Sequence, residues 1–286
     1  MKSKSVVLLS VFALLAIFLS SCTGSSTLSN NWSGVLLDGT TVYYSNSSKV
    51  YALKEENGNI IWEYPEKASA TRIFSAEPIL AGEQLIVVDY GKLITSLNTG
   101  NGKENWQFTG AKARYIDSPL VVGDLIIAPN ADYNVYALNL NGILQWTFTG
   151  GHSFWTKPVS DGTHVYLSCM DHYLYALDAQ TGNLVWKTDL GASLVSRPVL
   201  DESGTIYLGN IDDDFFAVSA ADGSKVWEQR VGGGLWAAPL IKDGKLYFGD
   251  QSGRISILNT VDGKVEQSVQ TDAAILGSGG LLEQGI

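Results

Sequence analysis

The sequence predicts an all-β fold, a β-propeller of four-stranded antiparallel blades. Three observations carry that prediction. A tryptophan returns at Trp62, Trp106, Trp146, Trp186 and Trp227, with spacings of 44, 40, 40 and 41 residues. A glycine precedes each by four positions, at Gly58, Gly102, Gly142, Gly182 and Gly223. A proline keeps the same rhythm at Pro78, Pro119, Pro158, Pro198 and Pro239, always 19 or 20 positions before the end of an apolar strand such as Leu174-Tyr175-Ala176-Leu177. A period in this range marks a repeat array rather than a set of unrelated domains.

Each unit holds four strands. In the fourth copy, Pro158 to Ser160 opens the first, and Asp161-Gly162 turns the chain into His164 to Ser168. Met170-Asp171 leads into Tyr173 to Leu177, and Thr181-Gly182 into Leu184 to Lys187, which carries Trp186. Short β-branched and aromatic runs punctuated by Gly or Asp are hairpin signals. A lone four-stranded meander leaves two faces bare, and radial stacking of copies covers them while keeping edges short. The first copy starts near Trp32, with Gly34 in the proline position. The sixth has Gln267 in place of tryptophan. Counting forward puts Gly280 at a seventh proline position, followed by Leu281 to Gly285, the first strand of a seventh unit. Six full repeats plus one strand suit either an edge patch or an incomplete seven- or eight-bladed ring.

The N-terminus has a different character. Lys2 and Lys4 precede an apolar run from Val6 to Leu19, which ends in Leu19-Ser20-Ser21-Cys22. A charged start, a short apolar run and small residues read as an export signal. The last four residues resemble a bacterial lipobox. The expected organisation is therefore a lipoprotein signal peptide over 1–21, a lipidated Cys22 and polar tether over 22–32, and the repeat domain over 33–286. Removing 1–21 takes away two lysines and no acids, so the net charge of -10 becomes -10 - 2 = -12. No basic patch favours nucleic acid. The remaining cysteine, Cys169, has no partner for a disulfide once Cys22 carries lipid, and is expected as a half-buried thiol in a hairpin. The expected location is the cell membrane or the outer membrane, with the lipid as the membrane contact.

The five tryptophans are expected to be structural, each on an outer strand and packed over the neighbouring unit near its glycine turn, with a strand carbonyl accepting from the ring nitrogen. Segments such as Tyr175-Ala176-Leu177-Asp178-Ala179-Gln180-Thr181-Gly182-Asn183-Leu184-Val185-Trp186 resemble the tryptophan-docking motif of the pyrroloquinoline-quinone (PQQ)-like propeller repeats, and the resemblance spans about residues 33–286. An exported lipoprotein with such repeats is similar to the propeller subunit of the bacterial outer-membrane β-barrel assembly machinery. That resemblance implies a non-catalytic, monomeric scaffold or sensor that binds envelope proteins, or a small ligand at the channel mouth, with no cofactor. The alternative it implies is a quinone-dependent oxidoreductase using PQQ with calcium. The alcohol dehydrogenases of that class carry an adjacent cysteine pair and a longer chain, and this sequence has neither.

Catalytic constellations are weak. His152, His164 and His172 are the only histidines, and the last two sit at opposite ends of a hairpin, too far apart for a shared metal. Asp212-Asp213-Asp214 reads as a solvated turn rather than a calcium site. No catalytic or metal-binding residue is assigned. The segments leading into the prolines carry Arg72, Phe74, Arg114, Tyr115, Phe154, Trp155, Lys157, Arg197 and Trp236. In a propeller they gather at one mouth of the central channel, either as contact anchors for a partner or ligand or as packing between units. The link from Trp62 to Pro78 is 16 residues against 12 or 13 elsewhere, which singles out Arg72 and Phe74, because long loops on rigid scaffolds often carry recognition.

Overall fold

A computed structural model describes residues 34–279. The expected signal, Cys22, the tether and the seventh-unit strand lie outside the described residues. Six antiparallel sheets follow one another, over residues 35–64, 79–108, 120–149, 159–189, 199–230 and 240–270, each with its four strands in sequence order. In sheet 4 the strands are Val159–Ser160, His164–Ser168, Tyr173–Asp178 and Leu184–Asp189. First strands of neighbouring sheets approach one another, as Ile79–Ala81 does Leu120–Val122 and Val159–Ser160 does Val199–Leu200. These are the inner strands of the propeller, and the solvated fourth strands are the outer ones.

In sheets 2 to 5 the second and third strands are buried on both faces. Accordingly they read as continuous apolar runs (Ile206-Tyr207-Leu208, Phe215-Phe216-Ala217-Val218) rather than as alternation. Their side chains form five apolar clusters, one between each pair of consecutive sheets. Residues 207, 215 and 217 of sheet 5 point forward onto Leu246, Phe248 and Leu258 of sheet 6, whereas 206, 208, 216 and 218 point back onto sheet 4. Burying each large side chain is worth about 2 kcal/mol, so the array is held by its sheet-to-sheet seams.

Every sheet has a bulge where its third and fourth strands pair. It places a small residue opposite each tryptophan: Ala52, Ser96, Ala137, Ala176 and Ala217 face Trp62, Trp106, Trp146, Trp186 and Trp227. Each indole then reaches over the next sheet's glycine turn. Its Nε1 donates to the carbonyls of Thr99, Leu140, Ala179, Ala220 and Thr260, at 2.8, 3.0, 3.1, 3.0 and 2.8 Å. The glycines beneath (Gly102, Gly142, Gly182, Gly223, Gly263) all have positive φ. A methyl group on any of them would lie 2.5 or 2.6 Å from an indole carbon. Only glycine permits both that backbone and that approach.

The repeat differs in one detail from the sequence count. The amide of Ile275 bonds to Asp250 O as that of Leu235 bonds to Asn210 O. Since Leu235 precedes Pro239 by four, Gly279 and not Gly280 holds the proline position.

Candidate functional site

The linkers and the turns between second and third strands share one face of the propeller. The Ala131 amide donates to Arg114 O and the Met170 amide to Ser153 O, while Gly150 N donates to Tyr133 O. Each linker is thus stitched to the sheet it leaves and the sheet it enters. At the middle of the linkers, Phe74, Tyr115 and Phe154 occupy the place of Leu194 and Leu235, and all five are buried. They wedge between successive sheets, so the expectation that Phe74, Tyr115 and Phe154 belong to a contact surface does not hold; their amide bonds to the preceding sheet (Phe154 N to Asn130 O, 3.2 Å) fix them inward.

Arg72, on the long link, is also committed internally. Its Nε donates to Asp89 Oδ2 (2.6 Å), Nη1 to the Tyr64 hydroxyl (3.0 Å) and Nη2 to Thr95 Oγ1 (3.1 Å). Its guanidinium carbon lies 5.3 and 5.1 Å from the Tyr64 and Phe74 ring centres. Burial opposes its charge, but Tyr64 and Asp89 outweigh burial and hold its pKa above the ordinary arginine value. The extra length of the link is used to seat this arginine between sheets 1 and 2.

At the inner ends of the linkers lies a group of alternating charges. Arg197 forks onto Asp117, with Nε to Oδ2 at 2.6 Å and Nη2 to Oδ1 at 2.5 Å. The Lys157 amide donates to Asp117 Oδ2 (2.9 Å), and Lys157 Nζ lies 4.0 Å from Glu77. Asp117 leads into sheet 3 and Arg197 into sheet 5, so the pair reaches past the linker between them. Burial works against the Arg197 charge, and Asp117 more than offsets it, raising the guanidinium pKa. Lys157 and Arg197 are therefore ion-paired within the chain.

What remains exposed is a different set. Arg114 is exposed and lies over the Tyr90 ring at 5.2 Å. Tyr133, 42% exposed, stacks on His152 at 4.9 Å, and Ile211 is 45% exposed on the turn of sheet 5. Trp155 and Trp236 are half-buried. Tyr133 was not marked by any motif. It occupies the left-handed position of its turn (φ 75°), equivalent to Lys92, His172, Asp213 and Gly253, and a sequence signal for exposure exists only in that equivalence.

Other chemistry is sparse. Cys169 is fully buried, not half-buried, because it fills the place that Asn130 and Asn210 hold in sheets 3 and 5, after the second strand; its Sγ donates to His152 O at 3.3 Å. Burial pushes its pKa up to about 12. Asp213 lies 3.8 Å from Arg230, and the amides of Asp212 and Asp214 both donate to Asn210 Oδ1. The acidic run is a bonded turn whose donors do not converge. Among the described residues no three of His, Cys, Asp and Glu are grouped to hold a metal. At the inner ends of the linkers, Asp117, Arg197, Lys157 and Glu77 are paired with one another.

Fold and site together define a PQQ-like β-propeller whose accessible linker face presents apolar, aromatic and cationic groups. The chain matches the family described as outer membrane protein assembly factor BamB over residues 23–149 and 141–279, and it belongs to that family. It is 24% identical over 184 residues to the outer membrane protein assembly factor BamB of Bordetella pertussis, covering 57% of this chain and 45% of that relative. The match thus spans a little under half the length of the relative. The crystal structure of BamB from Moraxella catarrhalis superposes with a TM-score of 0.72 at 22% identity, over 86% of this chain and 78% of that one. A europium-containing methanol dehydrogenase superposes with a TM-score of 0.71 at 12% identity, over 86% and 69%. The fold is therefore shared by an assembly factor and an enzyme, and function has to be argued from the site.

Proposed function

We propose that this chain is a non-catalytic docking scaffold for outer-membrane protein assembly, exported and anchored to the envelope by lipid on Cys22. The observation that carries the reading is the linker face: Arg114 on Tyr90, Tyr133 on His152 and Ile211 project from turns held by backbone hydrogen bonds on both sides. Rigid aromatics with arginine are typical interface anchors, because little side-chain entropy is lost when a partner covers them. The internally paired charges of Asp117, Arg197, Arg72 and Asp89 keep the platform stiff and are not available to a partner.

The test replaces Arg114 by Glu and Tyr133 by Ser in the full chain. Co-purification of β-barrel assembly proteins from envelope extract is expected to fall without a change in the thermal midpoint. Unchanged co-purification would reject this face. Adding PQQ and calcium to the purified protein checks the catalytic alternative: saturable binding with dye reduction would replace the scaffold reading. Replacing Cys22 by Ser is expected to move the protein from the membrane fraction to the soluble one.

A further inference from the structure

We propose that the outer strand of sheet 3, Leu144–Thr149, is a pairing edge that takes up an extended, uncharged strand of another polypeptide. The site is on the rim of the propeller rather than on the linker face, and sheet 3 packs against a neighbouring sheet on each side. The fourth strand of every sheet is an edge. An edge with bare backbone groups is a template for another strand unless a charge or a proline blocks it. The other described outer strands are blocked. In sheet 1, Glu63 pairs with Lys49, and Pro65 follows the strand. Sheet 2 opens its strand on Glu104, bound by the Tyr64 hydroxyl and Gln107. Sheet 4 carries Lys187 and Asp189, sheet 5 carries Lys225, Glu228 and Arg230, and sheet 6 carries Glu266, paired with Lys245. In sheet 3 no charged residue occurs from Asn134 to Gly151.

The ladder decides which backbone groups face outward. Gly150 N donates to Tyr133 O, and Phe148 and Trp146 lie opposite Val135 and Ala137. Bonded pairs alternate along an antiparallel ladder, so Phe148 and Trp146 turn their backbone groups inward. Those of Thr147 and Thr149 point out from the edge. The matching positions hold Glu63 and Pro65 in sheet 1, Lys187 and Asp189 in sheet 4, and Glu228 and Arg230 in sheet 5. Threonine at both suits strand pairing, being β-branched and neutral. Side chains set the chemistry of the partner. Gln145, Thr147 and Thr149 are exposed, Trp146 and Phe148 are half-buried on the opposite face, and Ile143 and Leu144 are 59% and 45% exposed. An incoming strand meets neutral polar groups on one face and apolar groups on the other. That pattern fits a segment in which apolar and neutral polar residues alternate. A second copy of this chain fits less well. The edge has 6 residues and is about 20 Å long, a small seam beside the about 1,200 Å² that stable dimers bury. Each copy also carries a net charge of -10.

The probe is a fluorescein-labelled peptide of four Val-Thr repeats, added to the full chain. A saturable rise in anisotropy is expected. The Thr147 and Thr149 amides should then exchange about tenfold more slowly or better, with those of Trp146 and Phe148 unchanged. A Val-Glu peptide of the same length is expected not to bind. Thr147→Pro removes an outward N–H and no ladder bond, and Thr147→Lys adds the missing charge. Each should weaken binding by about tenfold or more, whereas Arg114→Glu, on the linker face, should leave it unchanged. Four results would overturn the proposal: no saturable binding, full binding by Thr147→Lys, protection at Lys187 or Glu228 instead, or a dimer of the unlabelled chain that already protects Thr147 and Thr149.

Discussion

Trp146 and Gly182 make a reciprocal pair whose energetics can be worked from the structure. The indole donates to Ala179 O at 3.1 Å and lies over Gly182, whose added methyl would meet indole carbons at 2.5 Å. Trp146→Ala removes a half-buried aromatic and one hydrogen bond, at an expected cost of about 3 kcal/mol. Gly182→Ala forces an L-residue to hold φ 71°, worth about 1 kcal/mol, and drives the methyl into the indole, for about 2 kcal/mol more. Gly58→Ala has the same backbone demand, at φ 69°, with nothing within 4 Å, so it should cost only about 1 kcal/mol. In the double variant the clash is gone. The total should be about 4 rather than about 6 kcal/mol, a coupling of about 2. Urea unfolding followed by far-UV circular dichroism measures all four. Equal costs for Gly58→Ala and Gly182→Ala, or additive single effects, would refute the reasoning.

Other outcomes follow from single contacts. Arg197→Met should cost about 2 kcal/mol by stranding the Asp117 carboxylate, and Asp117→Asn added to it should recover part of the loss, read as urea midpoints. In a chain with Cys22→Ser, Cys169 should resist thiol reagents at about pH 8 until the protein unfolds, since burial holds its pKa at about 12; rapid native-state labelling would contradict this. Asp161 has its pKa brought to about 2: burial opposes the carboxylate, but the His164 amide and the Tyr166 hydroxyl outweigh it. A carboxyl with a depressed folded pKa stabilises above its unfolded value near 3.8 and loses that contribution as pH falls toward 2. After allowance for partial exposure, Asp161→Asn should remove about 1 kcal/mol at neutral pH and flatten the acid limb of the stability profile.

The parts of this architecture that were legible in the sequence are those set by local chemistry. Gly142 and Trp146 are close in sequence, yet they serve different clasps: the indole of Trp106 covers Gly142, and Trp146 covers Gly182. The spacing shows through because every unit repeats both halves. The bulge that sets Ala137 opposite Trp146 left no mark beyond the small residue itself. The linker residues were harder to read. Phe154 and Trp155 are adjacent and chemically alike, but one is buried and the other half-exposed. Which way each points depends on the backbone bond from Phe154 to Asn130, not on composition. Arg72 looked like a recognition residue because its loop is long, whereas the length serves to bring it onto Asp89. The Asp117–Arg197 pair is separated by 80 residues. It exists because curvature brings two linkers together, and no local pattern encodes that.

Hydrogen exchange of indole-labelled protein puts the role of the repeated rings to the most direct trial. If Trp62, Trp106, Trp146, Trp186 and Trp227 join neighbouring sheets, their Nε1 protons should exchange only as slowly as the strand amides they sit among, and should not shift when PQQ and calcium are added. Fast exchange at these five positions, or a common shift on addition of the quinone, would contradict the account.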